Sequence, residues 1–199
     1  NKDFETVSYD EWNDLLNTIL GGSANLCRSV APKMAKRRNG SIILLSADYS
    51  KEFGDDVVNA VAASTLHGFG KSFGVEMASD NVLVNVLFAN TPFDLNKVVE
   101  TAYYLADKNT YATAQVVSIS GINVDLVKYA EMKERRVLIT GGTQGIGEAM
   151  ADLFSADGAK VVINGRVLNE KVQKVLDRTG AKASMGSILN QSEAATVVR

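Results

Sequence analysis

The chain has 199 residues, 46% of them apolar, 22% charged and 7% aromatic, with a formal net charge of −2 from 21 basic and 23 acidic side chains. These are the proportions of an average globular domain; they argue against disordered, collagen-like and coiled-coil classes, and the charge balance gives no electrostatic basis for nucleic acid or an anionic membrane as the main partner. One cysteine, Cys27, and one histidine, His67, leave no internal disulfide and no His-cluster zinc site. No apolar run approaches the roughly 20 residues of a membrane helix. The opening Asn1-Lys2-Asp3-Phe4-Glu5 does not look like a signal peptide. A soluble, cytoplasmic α/β protein is the expectation.

In chain order, Tyr9 to Met34 reads as a long helical stretch with Gly21-Gly22 and Pro32 as its irregularities. Ser41 to Leu45 reads as a strand, Val57 to Ala78 as a helix, Val82 to Phe88 as a strand and Leu95 to Ala106 as a helix. Asp107-Lys108-Asn109-Thr110 is a turn by composition, and Ala114 to Ile119 a strand. The charged segment between Asp125 and Arg136 marks the expected boundary, and Met132 within it looks like an old translation start. The chain therefore divides into 1–131 and 132–199, without internal repeats.

The strongest local pattern follows. Val137-Leu138-Ile139 is a buried strand by its apolar run, and it leads directly into Thr140-Gly141-Gly142-Thr143-Gln144-Gly145-Ile146-Gly147. Apolar residues then fall at Ala149, Met150, Leu153 and Phe154, which is helical spacing, with Gly158 as a stop. Lys160 to Asn164 reads as a second strand and Leu168 to Arg178 as a second helix before Gly180. Glycines between a strand and a helix allow a tight turn and a close approach of backbone to a pyrophosphate, whose charge the helix N-terminus stabilises. Gly141, Thr143, Gln144, Gly145, Ile146 and Gly147 are thus the candidate cofactor-binding residues. The end of the second strand selects the cofactor. An acidic residue there takes both ribose hydroxyls of NAD(H), whereas a basic one accommodates the 2′-phosphate of NADP(H). This chain has Asn164-Gly165-Arg166. With no carboxylate and with Arg166 able to form charge-assisted bonds to phosphate, NADP(H) is the expected cofactor.

Thr140-Gly141-x-x-x-Gly145-Ile146-Gly147 resembles the cofactor fingerprint of the short-chain dehydrogenase/reductase family, close to its ketoacyl-reductase-like members. The first 131 residues resemble the later half of the same fold. Trp12 to Met34 is similar to the long dimer-forming helix, and Gly40-Ser41-Ile42-Ile43 to the strand that carries the family's serine. Leu66-His67-Gly68-Phe69-Gly70-Lys71-Ser72 is similar to the helix after the family's tyrosine and lysine, while Val82 to Phe88 and Ala114 to Gly121 resemble its last two strands. The resemblance implies a Rossmann-like, doubly wound parallel sheet in a three-layer αβα architecture. It spans nearly the whole chain, but with the halves in reversed order. The strand ending in the family's Asn-Asn-Ala-Gly motif is absent.

The family's chemistry uses a Tyr that exchanges the carbonyl proton, a Lys that lowers its pKa, a Ser that holds the substrate oxygen and an Asn that anchors a water. The same register puts these positions at Asn59, Ala63, Ala47 (with Ser46 one step away) and Ile19. An amide and three aliphatic side chains cannot fill those roles, so no catalytic residue is expected in this chain. The family's Pro-Gly after its sixth strand is replaced by Ala89-Asn90, and its substrate lid is expected to be lost. Two Tyr-x-x-x-Lys matches, Tyr104 to Lys108 and Tyr129 to Lys133, follow no serine-bearing strand and read as decoys. Cys27 reads as a small buried hydrophobe, His67 as a packing or interface residue, and Trp12 as an anchor in the core.

Two arrangements fit the reversed order. The chain resembles either a window onto a tandem protein, joining a degenerate later half to the early half of a second domain, or a circular permutant. The resemblance implies an NADP(H)-dependent carbonyl reductase whose catalytic tetrad lies elsewhere. The alternative is a catalytically inactive pseudo-reductase with a structural or dimerising role. In either case the helices at 9–34 and 57–78 are expected to mediate self-association or contact with a second such domain.

Overall fold

The computed structural model describes residues 5–47, 57–89, 94–119, 135–189 and 191–197. Asn1 to Phe4, Asn90, Gly121, Tyr129, Met132 and Lys133 lie outside them, and with them the proposed boundary segment.

The first helical stretch is three pieces rather than one. Helix α1 (Tyr9–Leu16) starts at a capping box, in which Ser8 and Glu11 each bond the other's backbone N–H. A π-helical segment (Asn17–Gly21) separates it from α2 (Gly22–Arg37). Helix α2 runs three residues past the expected end and stops where Arg38 adopts a left-handed conformation (φ 49°). Trp12 does not anchor a core: it is half-buried, and α1 contributes no buried residue.

Next come β1 (Gly40–Ala47), α3 (Val57–Ala78), β2 (Val82–Ala89), α4 (Leu95–Ala106) and β3 (Val116–Ile119). The three strands form a parallel sheet in the order β1-β2-β3, with Gly40 opposite Val82 and Val86 opposite Val116. Strand β2 is central and buried along all eight residues, and its side chains alternate between two cores. Val82, Val84, Val86 and Phe88 meet Cys27, Ala31, Leu66 and Met77 from α2 and α3, whereas Leu87 and Ala89 meet Val98 and Ala102 from α4. Helices on both faces of a parallel sheet give the three-layer αβα arrangement.

The second part contains β4 (Arg136–Thr140), α5 (Gly145–Ala156), β5 (Lys160–Gly165), α6 (Glu170–Thr179), β6 (Lys182–Met185) and α7 (Gln191–Val197). Its strands form a second parallel sheet in the order β4-β5-β6, with Arg136 opposite Lys160 and Val162 opposite Lys182. Neither β6 nor α7 is predicted from the sequence. Lys182-Ala183-Ser184-Met185 is half polar and lacks an apolar run, and pairing with β5 makes it a strand.

Among the described residues, the two sheets share no hydrogen-bonded ladder, and helices join them. One core contains Ile146 and Met150 of α5 together with Leu45, Leu87, Ala89 and Ile119 from the C-terminal ends of β1 to β3. Another contains Tyr103 of α4 with Val137, Phe154 and Val161, at the starts of β4 and β5 and the end of α5. The Tyr103 and Phe154 rings stack with centroids 5.6 Å apart. These contacts bring the C-terminal ends of β1 to β3 beside the start of α5, and the end of α4 beside the starts of β4 and β5. On the other face, α2 packs against α7, and Asn25 Nδ2 donates to the Leu189 carbonyl (3.1 Å).

Candidate cofactor site

The glycine-rich turn lies at the C-terminal end of β4, on the same side of the molecule as the C-terminal ends of β1 to β3. This is where open α/β sheets bind ligands. Gly141 and Gly145 take φ of +64° and +59°, a region that side-chain-bearing residues rarely enter. Gly147 is required for a different reason. A Cβ there would run into the Gly141 carbonyl, so the first turn of α5 closes directly onto the loop. Gln144 is the N-cap of α5 with extended backbone (φ −164°), but its side chain makes no capping bond. The N–H groups of Gly145, Ile146 and Gly147 have no acceptor within the helix, because they begin it. The turn therefore presents donors, a positive helix end and bare backbone to an incoming anion. This fits the pyrophosphate of a dinucleotide.

Ile146 turns the other way, into the core shared with β1 to β3, and so fixes the helix end against the first sheet. Thr143 is half-buried. Behind the turn, the Gly142 N–H donates to the Asn164 carbonyl (3.2 Å), and Asn164 Nδ2 donates to the Ser184 and Gly186 carbonyls (2.7 and 3.2 Å). Asn164 is 4% exposed, and its amide serves the strand ends rather than a ligand. Arg166 follows β5 and is exposed, with Val167 and Leu168 beside it at 67% and 53% exposure.

Of the expected catalytic positions, Ile19 and Ala63 are packed. Ile19 lies in the π-helical segment and packs on the core of Cys27, Leu66, Val86 and Phe88. Ala63 is 2% exposed, inside α3, and Asn59 is half-buried one turn earlier. Ser46 is half-buried near the end of β1, opposite Phe88. Cys27 is 3% exposed, and burial pushes its thiol up to about 12, so it is no nucleophile at neutral pH. Tyr104 and Lys108 stand at the wrong end of the sheet. The neighbouring Leu105 carbonyl accepts from Ser41 Oγ (3.4 Å) at the start of β1, whereas the glycine turn follows the end of β4. His67 is exposed on α3. Among the described residues, no group of three or more His, Cys, Asp or Glu is placed to hold a metal ion, and no helix is long and apolar enough to cross a membrane.

The sequence profile of the family described as short chain dehydrogenase matches residues 1–93 and 135–195. The chain belongs to this family. Among curated short chain dehydrogenase relatives, the 3-oxoacyl-[acyl-carrier-protein] reductase FabG of Chlamydia trachomatis is 30% identical over 142 residues, covering 58% of this chain and 57% of that protein. The uncharacterized oxidoreductase YvrD of Bacillus subtilis is 49% identical over 49 residues, 25% of this chain and 17% of its own. Among solved structures, a 3-oxoacyl-[acyl-carrier protein] reductase with bound NAD from Brucella melitensis superposes with a TM-score of 0.51 at 22% identity, covering 59% of this chain and 53% of that one. ElxO with NADP bound gives 0.53 at 17% identity, with 61% of each chain covered. These likenesses show the Rossmann-type fold of the short chain dehydrogenases. The chain spans a little over half the length of the curated relatives it matches most extensively.

Proposed function

We propose that this chain is part of an NADP(H)-dependent oxidoreductase that acts by hydride transfer on a carbonyl, and that residues 132–199 are the early, cofactor-binding half of one such domain. Residues 1–131 are the later half of a second, degenerate domain, as in a tandem protein. The carrying observation is the combination at one sheet end of a bare glycine turn, an exposed Arg166 and a strand end without a carboxylate. Gly141, Gly145 and Gly147 would hold the pyrophosphate through backbone N–H groups, and Arg166 the 2′-phosphate. When bound, the dinucleotide supplies or accepts the hydride. The related structures with bound NAD or NADP support a nicotinamide dinucleotide as the ligand class.

The edges of the two sheets support the tandem reading. A parallel strand between β1 and β4 would pair with both and close the sheets into one, whereas a single permuted domain without it leaves backbone groups unsatisfied, each costing about 1–3 kcal/mol when buried. The strand would come from elsewhere in a longer polypeptide. The proton-transfer positions Asn59, Ala63, Ala47 and Ile19 are empty of chemistry, so these 199 residues turn over no carbonyl by themselves. The cytoplasm, where NADP(H) is abundant, is the compartment this reading implies.

Self-association through α1, α2 and α3 belongs to the same reading. Val57, Val61 and Val75 of α3 are 47%, 41% and 69% exposed, and Gly68, on the outer side of that helix, has open space where its side chain would be. Sedimentation of the purified chain should show dimers, and a monodisperse monomer at high concentration would remove this part of the proposal. The central test is a fluorescence titration with NADPH and NADH, followed by NADPH consumption with ketoacyl thioesters, quinones and small ketones. The reading requires NADPH to bind more tightly than NADH, with no turnover. Binding of neither dinucleotide would favour a purely structural role, and turnover would show that the active site has been misplaced.

A further inference from the structure

The dipeptide Asn-Gly occurs twice in this chain, at Asn39–Gly40 and at Asn164–Gly165, and the fold treats the two oppositely. Asparagine before glycine is open to self-modification, because a backbone nitrogen unshielded by a Cβ can reach the carbon of the preceding side-chain amide. Asn164 is 4% exposed in the middle strand of its sheet, paired with Thr140 on one side and Ser184 on the other. Its Nδ2 donates to the Ser184 and Gly186 carbonyls (2.7 and 3.2 Å). The amide cannot turn towards Gly165 without giving up both bonds in a buried place.

Asn39 is exposed, between the end of α2 and the start of β1, and its side-chain amide has no hydrogen-bond partner among the described residues. The main chain before it is held: the Asn39 N–H donates to the Met34 carbonyl (3.2 Å), and Asn81 Nδ2 donates to the Arg38 carbonyl (2.8 Å). After it, Gly40 opposite Val82 is the first rung of the β1–β2 ladder, and a terminal rung opens at least cost. Packing, not conformation, fixes the glycine at 40. It is not among the residues with positive φ, but a Cβ there would stand 2.5 Å from Met34 Sδ and 2.8 Å from Met34 Cβ. Met34 packs in turn on the core of Ala31, Met77, Val82 and Val84, so the bare nitrogen beside Asn39 is a condition of that packing.

We propose that Asn39 is a self-modification site that deamidates through a succinimide formed with Gly40, while the fold protects the identical dipeptide at Asn164. The Gly40 backbone nitrogen gives up its proton and attacks Asn39 Cγ. A C–N bond forms, the Cγ–Nδ2 bond breaks, and Nδ2 leaves as ammonia with a proton in place of the one given up. Water then opens the ring at either carbonyl and leaves aspartate or isoaspartate at 39, with no change of oxidation state. The exposed Lys36, Arg37 and Arg38 just before it favour the anionic nitrogen and oxyanion on this path. Isoaspartate lengthens the main chain by one carbon. Since Met34 and Asn81 hold the end of α2, the extra length falls on the first rungs of β1. The modification needs no dinucleotide and does not rest on the cofactor reading.

The experiment ages the purified chain at mildly alkaline pH, in native buffer and in urea, and follows both sites by peptide mass spectrometry that separates aspartate from isoaspartate. In native buffer Asn39 should convert at least about tenfold faster than Asn164, and in urea the two rates should agree within about threefold. That convergence shows that the fold, and not the neighbouring sequence, makes the difference. A native Asn39 rate as slow as that of Asn164, or more than about tenfold below its own rate in urea, would overturn the proposal. A difference between the sites that persists in urea would overturn the protective role of the fold. The aged parent should also lose thermal midpoint as isoaspartate accumulates at 39, whereas Asn39→Ser aged alongside it should keep its own. An equal loss in both would remove the consequence for β1. Should Asn39→Ser shift the midpoint before ageing, Asn39→Gln, whose longer side chain closes the ring far more slowly, gives the same comparison.

Discussion

The two parts of this molecule each build a three-stranded parallel sheet, and they differ in what stands near the strand ends. In residues 135–197, the places where a ligand would approach are left bare: Gly141 and Gly145 in left-handed conformations, Gly147 against a carbonyl, and Arg166 in solvent. In residues 5–119, two of the positions that the proposed register assigns to reacting groups are packed instead: Ile19 lies against a core and Ala63 is buried. Bare backbone at a sheet end serves a ligand at some cost in stability, whereas an aliphatic side chain in the same kind of place serves the core.

The comparison is broken most directly at Gly147. Gly147→Val should abolish NADPH binding, a loss of roughly a hundredfold or more, because the new side chain displaces the Gly141 carbonyl from the turn; isothermal titration checks it, and unchanged affinity would remove the glycine turn from the site. Arg166→Ala should weaken NADPH by about ten- to a hundredfold and leave NADH nearly untouched, as for one charge-assisted bond to phosphate. In the other half the effects should change kind. Ile19→Asn should lower stability by about 1–3 kcal/mol in urea unfolding, since it places an amide in an apolar site, with dinucleotide affinity unchanged.

Cys27 sharpens the same contrast through pH. Burial raises its thiol from an ordinary value near 9 to about 12 in the folded chain, so the unfolded chain loses that proton first. Its contribution to stability is complete below pH 9 and declines as the pH rises towards 12, and Cys27→Ala should remove that part of the alkaline loss. The smallest effect is expected at Tyr104→Phe, which should alter neither dinucleotide binding nor stability by more than about 0.5 kcal/mol.

Much of this was legible in the sequence, for identifiable reasons. The bounds of α3 and α4 follow from apolar periodicity, and the glycine turn from the strand and helix on either side of it. Strand β6 was not legible, because Lys182 to Met185 becomes a strand only by pairing with β5. The break at Asn17–Gly21 was hidden for a similar reason: a π-helical segment keeps the helical pattern of apolar residues while shifting their phase. At the glycine turn, the residues that take positive φ, Gly141 and Gly145, were readable by type and spacing. The contact between Thr143 and Gly165 was not, since it joins two residues 22 positions apart through a methyl group.

The joint between the sheets has a mechanical consequence. Inside each sheet, load is shared along a ladder of hydrogen bonds. Across the junction it passes through side chains: the Tyr103–Phe154 stack, the bond from Arg135 Nη1 to the Ala106 carbonyl (3.0 Å), and the contact of α2 with α7. Stress applied along the chain would reach that seam first and part it one contact at a time, while β2 and β5 kept their neighbours. The glycine turn lies beside that seam, and Ile146 ties the start of α5 to the first sheet.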